Sequence, residues 1–308
     1  MEVTTTTSSS YTPAVAKNKK PWKKTLLPWL MLTPALLLLL LVVGGPIAGT
    51  LLLSFTNWDG IGSADFIGLQ NFVQLIQDKR FYAAMFNNAK WMVFFLTVPV
   101  FIGLGIALLV SKVKFGQTFY RVMVFLPYII ATVVTAKIWL GIYNPYVGIN
   151  VLLKNWGLES LALSWLGDGK IALLAVAVAD GWHFFGFLVV LFLIALQQLD
   201  KSLEEAAKVE GANKIQIFWH VTLPQLRPTL ALVYMLLIIW SFAAFDYVFV
   251  MTQGGPGDAS ELLATYMYKL AIYGQQPGYA SAVALTMGIF SLLVILGFGS
   301  LKKKGWDV

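Results

Sequence analysis

Cysteine is absent from this chain of 308 residues, which excludes disulfides, thiolate metal sites and cysteine nucleophiles. There are only two histidines, His183 and His220, and no metal-ligand spacing joins them. Charge is scarce: 12% of residues are Asp, Glu, Lys or Arg, against roughly 25% in a soluble domain. A nucleotide phosphate loop is also missing. Gly167-Asp168-Gly169-Lys170 lacks both the leading glycine and the following hydroxyl residue of that motif. No repeat of a whole structural unit is evident.

What is abundant is apolar, at 58% of the chain. The excess falls into segments long enough to cross a hydrocarbon core, which takes about 20 apolar residues per helix. Six spans are expected, at residues 28–55, 86–111, 119–142, 171–197, 229–251 and 280–301, in an all-α membrane protein. An even count puts both termini on one side. The surplus of 22 basic over 15 acidic residues reports orientation rather than a nucleic-acid partner. Fifteen lysines and arginines lie before span one, in the second and fourth connections, and after span six; only five lie in the other connections. The rich face is expected to be cytoplasmic, in a multi-pass protein of the lipid bilayer with both termini inside.

Residues 1–16 are rich in Thr and Ser, and a disordered basic tail is expected over residues 1–25, with a second short tail at 303–308. The first apolar run is longer than the core of a secretory signal, so an uncleaved span is expected. The six-span body is then residues 26–302. Its external connections, of about thirty residues each, hold aromatic residues, Gly and Pro. They suit either simple connection or the docking of an external partner. Phe66-Ile67-Gly68-Leu69-Gln70-Asn71-Phe72 reads as a loop leading into a short amphipathic helix.

Residues 198–228 are polar and charged although they lie between two apolar spans. Asp200 or Ser202 can cap a helix there, and Ser202-Leu203-Glu204-Glu205 fits a capping box with Glu205 at the third helical position. Ala206, Ala207 and Glu210 continue a short helix, and Gly211 ends it or permits close backbone approach. A second short helix is expected over residues 214–220, before Pro224 and Pro228 redirect the chain. On these residues alone, the segment is either an amphipathic connector resting on the bilayer or a docking element.

The spacing Glu205-Ala206-Ala207, three residues, Gly211, nine residues, Val221-Thr222-Leu223-Pro224 resembles the EAA loop of binding-protein-dependent ABC importer permeases, with Val221 in place of the usual Ile. Thr252-Gln253-Gly254-Gly255-Pro256-Gly257, Leu263-Ala264-Thr265-Tyr266 and Gly278-Tyr279-Ala280-Ser281 are similar to the last external loop of sugar permeases. Phe125-Leu126-Pro127-Tyr128 and Asn144-Pro145-Tyr146-Val147-Gly148 fit the same group, the maltose/glycerol-3-phosphate-type carbohydrate permeases. The resemblance implies a cytoplasmic coupling helix in which Glu205, Ala206, Ala207 and Gly211 contact an ATPase subunit. It also implies two such subunits holding ATP and Mg, a second permease, an extracytoplasmic solute-binding protein, a sugar substrate and a bacterial inner membrane. No catalytic residue, metal or cofactor is expected in this chain.

Polar groups at membrane depth are costly and therefore functional candidates. Lys137 and Asp246 are expected at similar depth, as an intramembrane ion pair, with Lys137–Asp180 as the alternative partnership. Each group could equally serve to hold the bundle together. A sugar needs an aromatic face for its ring and polar partners for its hydroxyls. With the family's pocket placed on the spans flanking the EAA loop, the expected pathway residues are Asp180, His183, Phe184, Phe187, Trp240, Ser241 and Ala244. Two further readings stand beside this one. The first is an ion-coupled carrier using Lys137, Asp180 and His183 as a relay. The second is an intramembrane enzyme using Asp180 and His183 as acid and base.

Overall fold

The computed structural model describes the backbone of residues 22–303 and the side chains of residues 28–300. The expected tails at 1–21 and 304–308 lie outside the described residues; at 22–25, also expected as tail, the backbone is already helical. The chain forms two units, residues 1–49 and 50–308.

Helix α1 (Trp22–Leu39) passes through a π-helical turn, Leu40–Gly44, into α2 (Gly45–Leu53). Leu30, Met31, Leu38 and Leu41 are exposed along it, as suits a lipid-facing surface. Next come α3 (Gln70–Gln77), the long α4 (Lys79–Ser111), α5 (Gln117–Ile129), α6 (Thr132–Ile142), the short α7 (Ile149–Asn155) and α8 (Ala172–Gln197). The polar segment contributes α9 (Lys201–Val209), α10 (Lys214–Ile217) and α11 (Leu223–Gln225). Helices α12 (Arg227–Ala243), α13 (Asp246–Met251), α14 (Leu263–Tyr268) and α15 (Pro277–Lys303) complete the described chain. Extended pairing among the described residues is limited to one bridge, Thr56 with Phe66.

Among the described residues, five segments are long and apolar enough to cross a membrane: Pro28–Leu53, Lys79–Ser111, Ala172–Gln197, Arg227–Met251 and Pro277–Ser300. The sixth expected span is not straight. Helices α5 and α6 meet at 90°, and together they make a sixth crossing only if counted as one bent span. Ile130 and Ala131 at the corner are both extended, with ψ of 137° and 135°. The fifth span is interrupted as well: Ala244 is extended and Phe245 irregular between α12 and α13.

The core sits where α4 crosses α8. In lipid there is little hydrophobic drive between helices, so close approach of small residues carries the packing. A β-carbon at Gly103 would lie 2.9 Å from the Leu188 Cβ, and one at Gly181 would lie 3.0 Å from the Phe94 ring. Gly186 is tighter: its β-carbon would fall 2.3 Å from the Val124 carbonyl oxygen on α5. Trp91, Phe95, Val100 and Leu104 of α4 bury against Val176, Leu188, Val189 and Phe192 of α8.

A second apolar cluster packs α3, the start of α4, α14 and α15 through Leu75, Phe81, Leu263, Tyr266, Tyr279 and Val283. The helix expected after Phe66 is α3. Its buried Asn71 donates to the carbonyls of Ser54 and Thr56, both at 2.8 Å, satisfying acceptors left free where α2 ends. Asp78 caps α4 by accepting from Arg80 N at 2.8 Å and Phe81 N at 3.3 Å. It also accepts from the hydroxyls of Tyr266 and Tyr279, so one carboxylate joins α4, α14 and α15. Burial pushes the Asp78 carboxyl up, but these hydrogen bonds outweigh it and hold it below the ordinary carboxylate value.

Candidate transport cavity and coupling loop

The two helix interruptions face each other across a cavity of about 320 Å³. Trp91 comes from α4, Tyr128 and Thr132 flank the α5–α6 bend, and Asp180, His183 and Phe184 come from α8. Trp240, Ala243, Ala244, Phe245, Asp246, Tyr247 and Val248 line the broken fifth span. A straight helix exposes its backbone acceptors to no ligand; the breaks bring irregular backbone to a cavity wall, where membrane proteins tolerate it.

His183 stabilises one break. Its Nε2 lies 3.1 Å from the Ile130 carbonyl oxygen. A carbonyl can only accept, so Nε2 carries the proton and Nδ1 is left as acceptor in the neutral ring. Behind His183, Thr135 Oγ1 and Tyr247 Oη are 2.5 Å apart, tying α6 to α13. The aromatic lining is mutually buttressed: Phe184 and Trp240 meet edge to face at 5.2 Å between ring centroids, and Tyr128 lies 6.1 Å from Phe184.

Of the expected pathway residues, Asp180, His183, Phe184, Trp240 and Ala244 line this cavity; Phe187 and Ser241 do not. Phe187 packs behind the lining, 5.2 Å from Tyr128 and 5.8 Å from Trp240. Ser241 is buried, and its hydroxyl donates to the Leu237 carbonyl at 2.7 Å, the usual back-bond of a serine within a helix. Its own carbonyl accepts from Asn88 Nδ2 at 2.7 Å.

The Lys137–Asp246 pair does not form, nor does Lys137–Asp180. The four ion pairs among the described residues join Arg80 to Asp258, Lys208 to Glu204, and Lys269 to Asp258 and Glu261. Similar depth for Lys137 and Asp246 requires a straight helix through residues 119–142, and the 90° bend takes α6 and the exposed Lys137 off that path. Asp246 instead shares the cavity with Asp180. Trp91, Tyr128, Thr132 and Tyr247 were not expected on the pathway, because an aromatic or threonine residue in an apolar run reads as core.

In the polar segment, Asp200 is the cap of α9 and accepts from Ser202 N at 2.9 Å. The Ser202 hydroxyl and N–H hold the Asp200 carboxyl below its ordinary value. The capping box expected at Ser202–Glu205 is therefore not formed: Asp200 rather than Ser202 is the cap, α9 begins two residues earlier, and Glu205 is exposed. The box occurs at the next helix, where Asn213 and Gln216 exchange side-chain and backbone bonds. Gly211 ends α9 at φ 86°, with Gly211 N bonding the Lys208 carbonyl and Ala212 N the Ala207 carbonyl, a Schellman arrangement. The second helix expected at 214–220 is α10 followed by a π-helical turn, Phe218–Thr222.

Glu205, Ala206 and Gly211 are exposed and Ala207 is half-buried. Around them apolar side chains stand in the open: Val209 is 89% exposed and Trp219 59%.

Residues 94–304 match the family model described as binding-protein-dependent transport system inner membrane component. The chain is 37% identical to the probable ABC transporter permease protein YurN of Bacillus subtilis, over 88% of this chain and 94% of that one. It is 30% identical to the trehalose/maltose transport system permease protein MalF of Thermococcus litoralis, over 91% and 94%. A solved bacterial ABC transporter involved in import of the acidic polysaccharide alginate superposes with a TM-score of 0.82 at 23% identity, over 92% and 98%, which establishes the shared fold. These relatives are named as ABC transporter or sugar transport permeases, and nothing in them supports the ion-coupled carrier. The chain belongs to the binding-protein-dependent inner-membrane transport components, and it is a multi-pass permease subunit of an ABC importer, not an enzyme.

Proposed function

We propose that this subunit forms, with a second related permease, the pathway of an ATP-driven sugar importer in a bacterial cytoplasmic membrane. ATP and Mg reside on two partner ATPase subunits, and an external solute-binding protein delivers the sugar. Both termini are cytoplasmic. Glu205, Ala206, Ala207 and Gly211 form the contact through which ATPase closure reaches the spans.

The observation that carries the sugar reading is the cavity at the two helix breaks. Tyr128 and Trp240 offer faces for the apolar side of a sugar ring, with Trp91 and Phe184 buried in the wall beside them. Asp180, Asp246 and the Thr132 hydroxyl offer partners for sugar hydroxyls. Sites that combine apolar walls with a few placed polar groups are the usual form of small-molecule pockets. A relative named for trehalose/maltose transport supports the carbohydrate class. The small volume suits one ring at a time, with the second permease completing the enclosure. Alternating access follows if the bent α5–α6 pair and the α12–α13 break are the elements that rearrange when the coupling loop moves.

Transport by the assembled complex carrying Asp180→Asn or Trp240→Ala tests this. Both variants should assemble normally yet import sugar at least tenfold more slowly. Unchanged transport of every sugar offered would move the site to the other permease.

A further inference from the structure

A second cavity, of about 610 Å³, opens along the Lys201, Glu204 and Lys208 face of α9, with the exposed Ala206 on the opposite face. It lies where α4 and α8 end, so it is level with a membrane boundary. Leu108, Phe218 and Val221 give it an apolar floor. Lys112, Lys201 and Lys214 stand at its exposed rim. None of the three has an ion-pair partner among the described residues. The two acids that also line it are already engaged: Glu204 pairs with Lys208 at 2.8 Å and Asp200 caps α9. The cavity therefore presents uncompensated positive charge above an apolar floor.

We propose that this cavity binds the headgroup of an anionic phospholipid, and that the bound lipid links the end of α4 to α9 and α10. The chemistry fits on three counts. Phosphate oxygens accept from ammonium groups. Lysine stems lie along apolar surface while their charges meet the headgroup. Basic pockets between spans at the cytoplasmic boundary are where acidic lipid headgroups bind. Lys112 follows α4, whereas Lys201 and Lys214 belong to α9 and α10. A headgroup held by all three braces α9 from the cavity side, leaving its Ala206 face free. The proposal depends on the orientation given above only for which leaflet supplies the lipid.

Native mass spectrometry of the permease purified with its companion subunits, after exposure to phosphatidylglycerol or phosphatidylcholine, tests it. Phosphatidylglycerol should be retained in preference. The triple variant Lys112→Gln, Lys201→Gln, Lys214→Gln should lose roughly a hundredfold in affinity, from about fivefold per lysine near an anionic surface. The corresponding triple Lys→Arg variant should retain binding, which separates charge from misfolding. Lys154→Gln with Lys170→Gln, which removes charge from external connections, should change nothing. Equal retention of the two lipids, or a triple Gln variant equal to the wild type, overturns the proposal. So does displacement by inorganic phosphate as effective as by phosphatidylglycerol, which makes this a free-anion site. Binding seen only after the ATPase subunits are stripped away also overturns it, since an acidic protein surface is then the occupant.

Discussion

His183 donates to the carbonyl of Ile130, the acceptor released where α5 turns 90° into α6. The residue that lines the cavity is thus also the one that holds its wall in place. His183→Ala should leave that carbonyl without its partner. Hydrogen bonds between spans average about 0.6 kcal/mol, with a maximum near 1.7, so a modest loss of stability is expected. Thermal unfolding of the assembled complex should show a small decrease. A larger fall in transport than in stability would indicate that the bend has shifted.

Gly186 should tolerate no side chain. Its β-carbon would fall 2.3 Å from backbone of α5, and backbone cannot swing aside. Gly186→Ala should cost about 1–3 kcal/mol by overpacking and separate α5 from α8. Gly105→Ala has nothing of its own chain within 4 Å and should be near neutral. Parallel unfolding curves of the two variants check the difference.

Asp78 predicts a dependence on pH outside the membrane. Its folded pKa lies below the ordinary value, so its bonds add stability above the unfolded pKa of about 3.9. That stability is lost as pH falls through the folded value. Tyr266 keeps its proton well above neutral pH, because burial and the Asp78 carboxylate raise its pKa. Protection factors against hydrogen exchange for residues 263–279, which take out the intrinsic pH dependence of the rate, should therefore be flat from neutral down to about pH 4 and fall only below it. Asp78→Leu should show the lowered protection already at neutral pH.

Much of this arrangement is legible in the chain. Long apolar runs specify the spans, and Asp200 and Gly211 mark the two ends of α9 by cap chemistry alone. The 90° bend is not legible. Residues 119–142 read as one apolar run despite Arg121, Pro127 and Lys137, and the two extended residues are Ile and Ala, which carry no turn signal. Missing that bend is what placed Lys137 beside Asp246. Ser241 failed for a different reason: its polarity is satisfied by its own helix, which composition cannot distinguish from a ligand contact.

The charge asymmetry predicts both termini in the cytoplasm. The chain has no native cysteine, so a single cysteine placed after Lys304 is a clean reporter. A membrane-impermeant maleimide should label it only after the membrane is opened. Labelling of intact cells would reverse the orientation.

The central claim is that the segment around Glu205 is the mechanical contact with an ATPase subunit. Ala206 is exposed on α9, beside Glu205 and one helical turn ahead of the Gly211 stop, and its small side chain can be replaced by cysteine with little disturbance. Cross-linking of Ala206→Cys in the assembled transporter, with a short bifunctional thiol reagent and cysteines on the companion subunits, is the most direct measurement. The account predicts a cross-link to an ATPase subunit whose yield changes when ATP is bound. Cross-links confined to lipid or to the other permease, with none to an ATPase subunit in either nucleotide state, would contradict it.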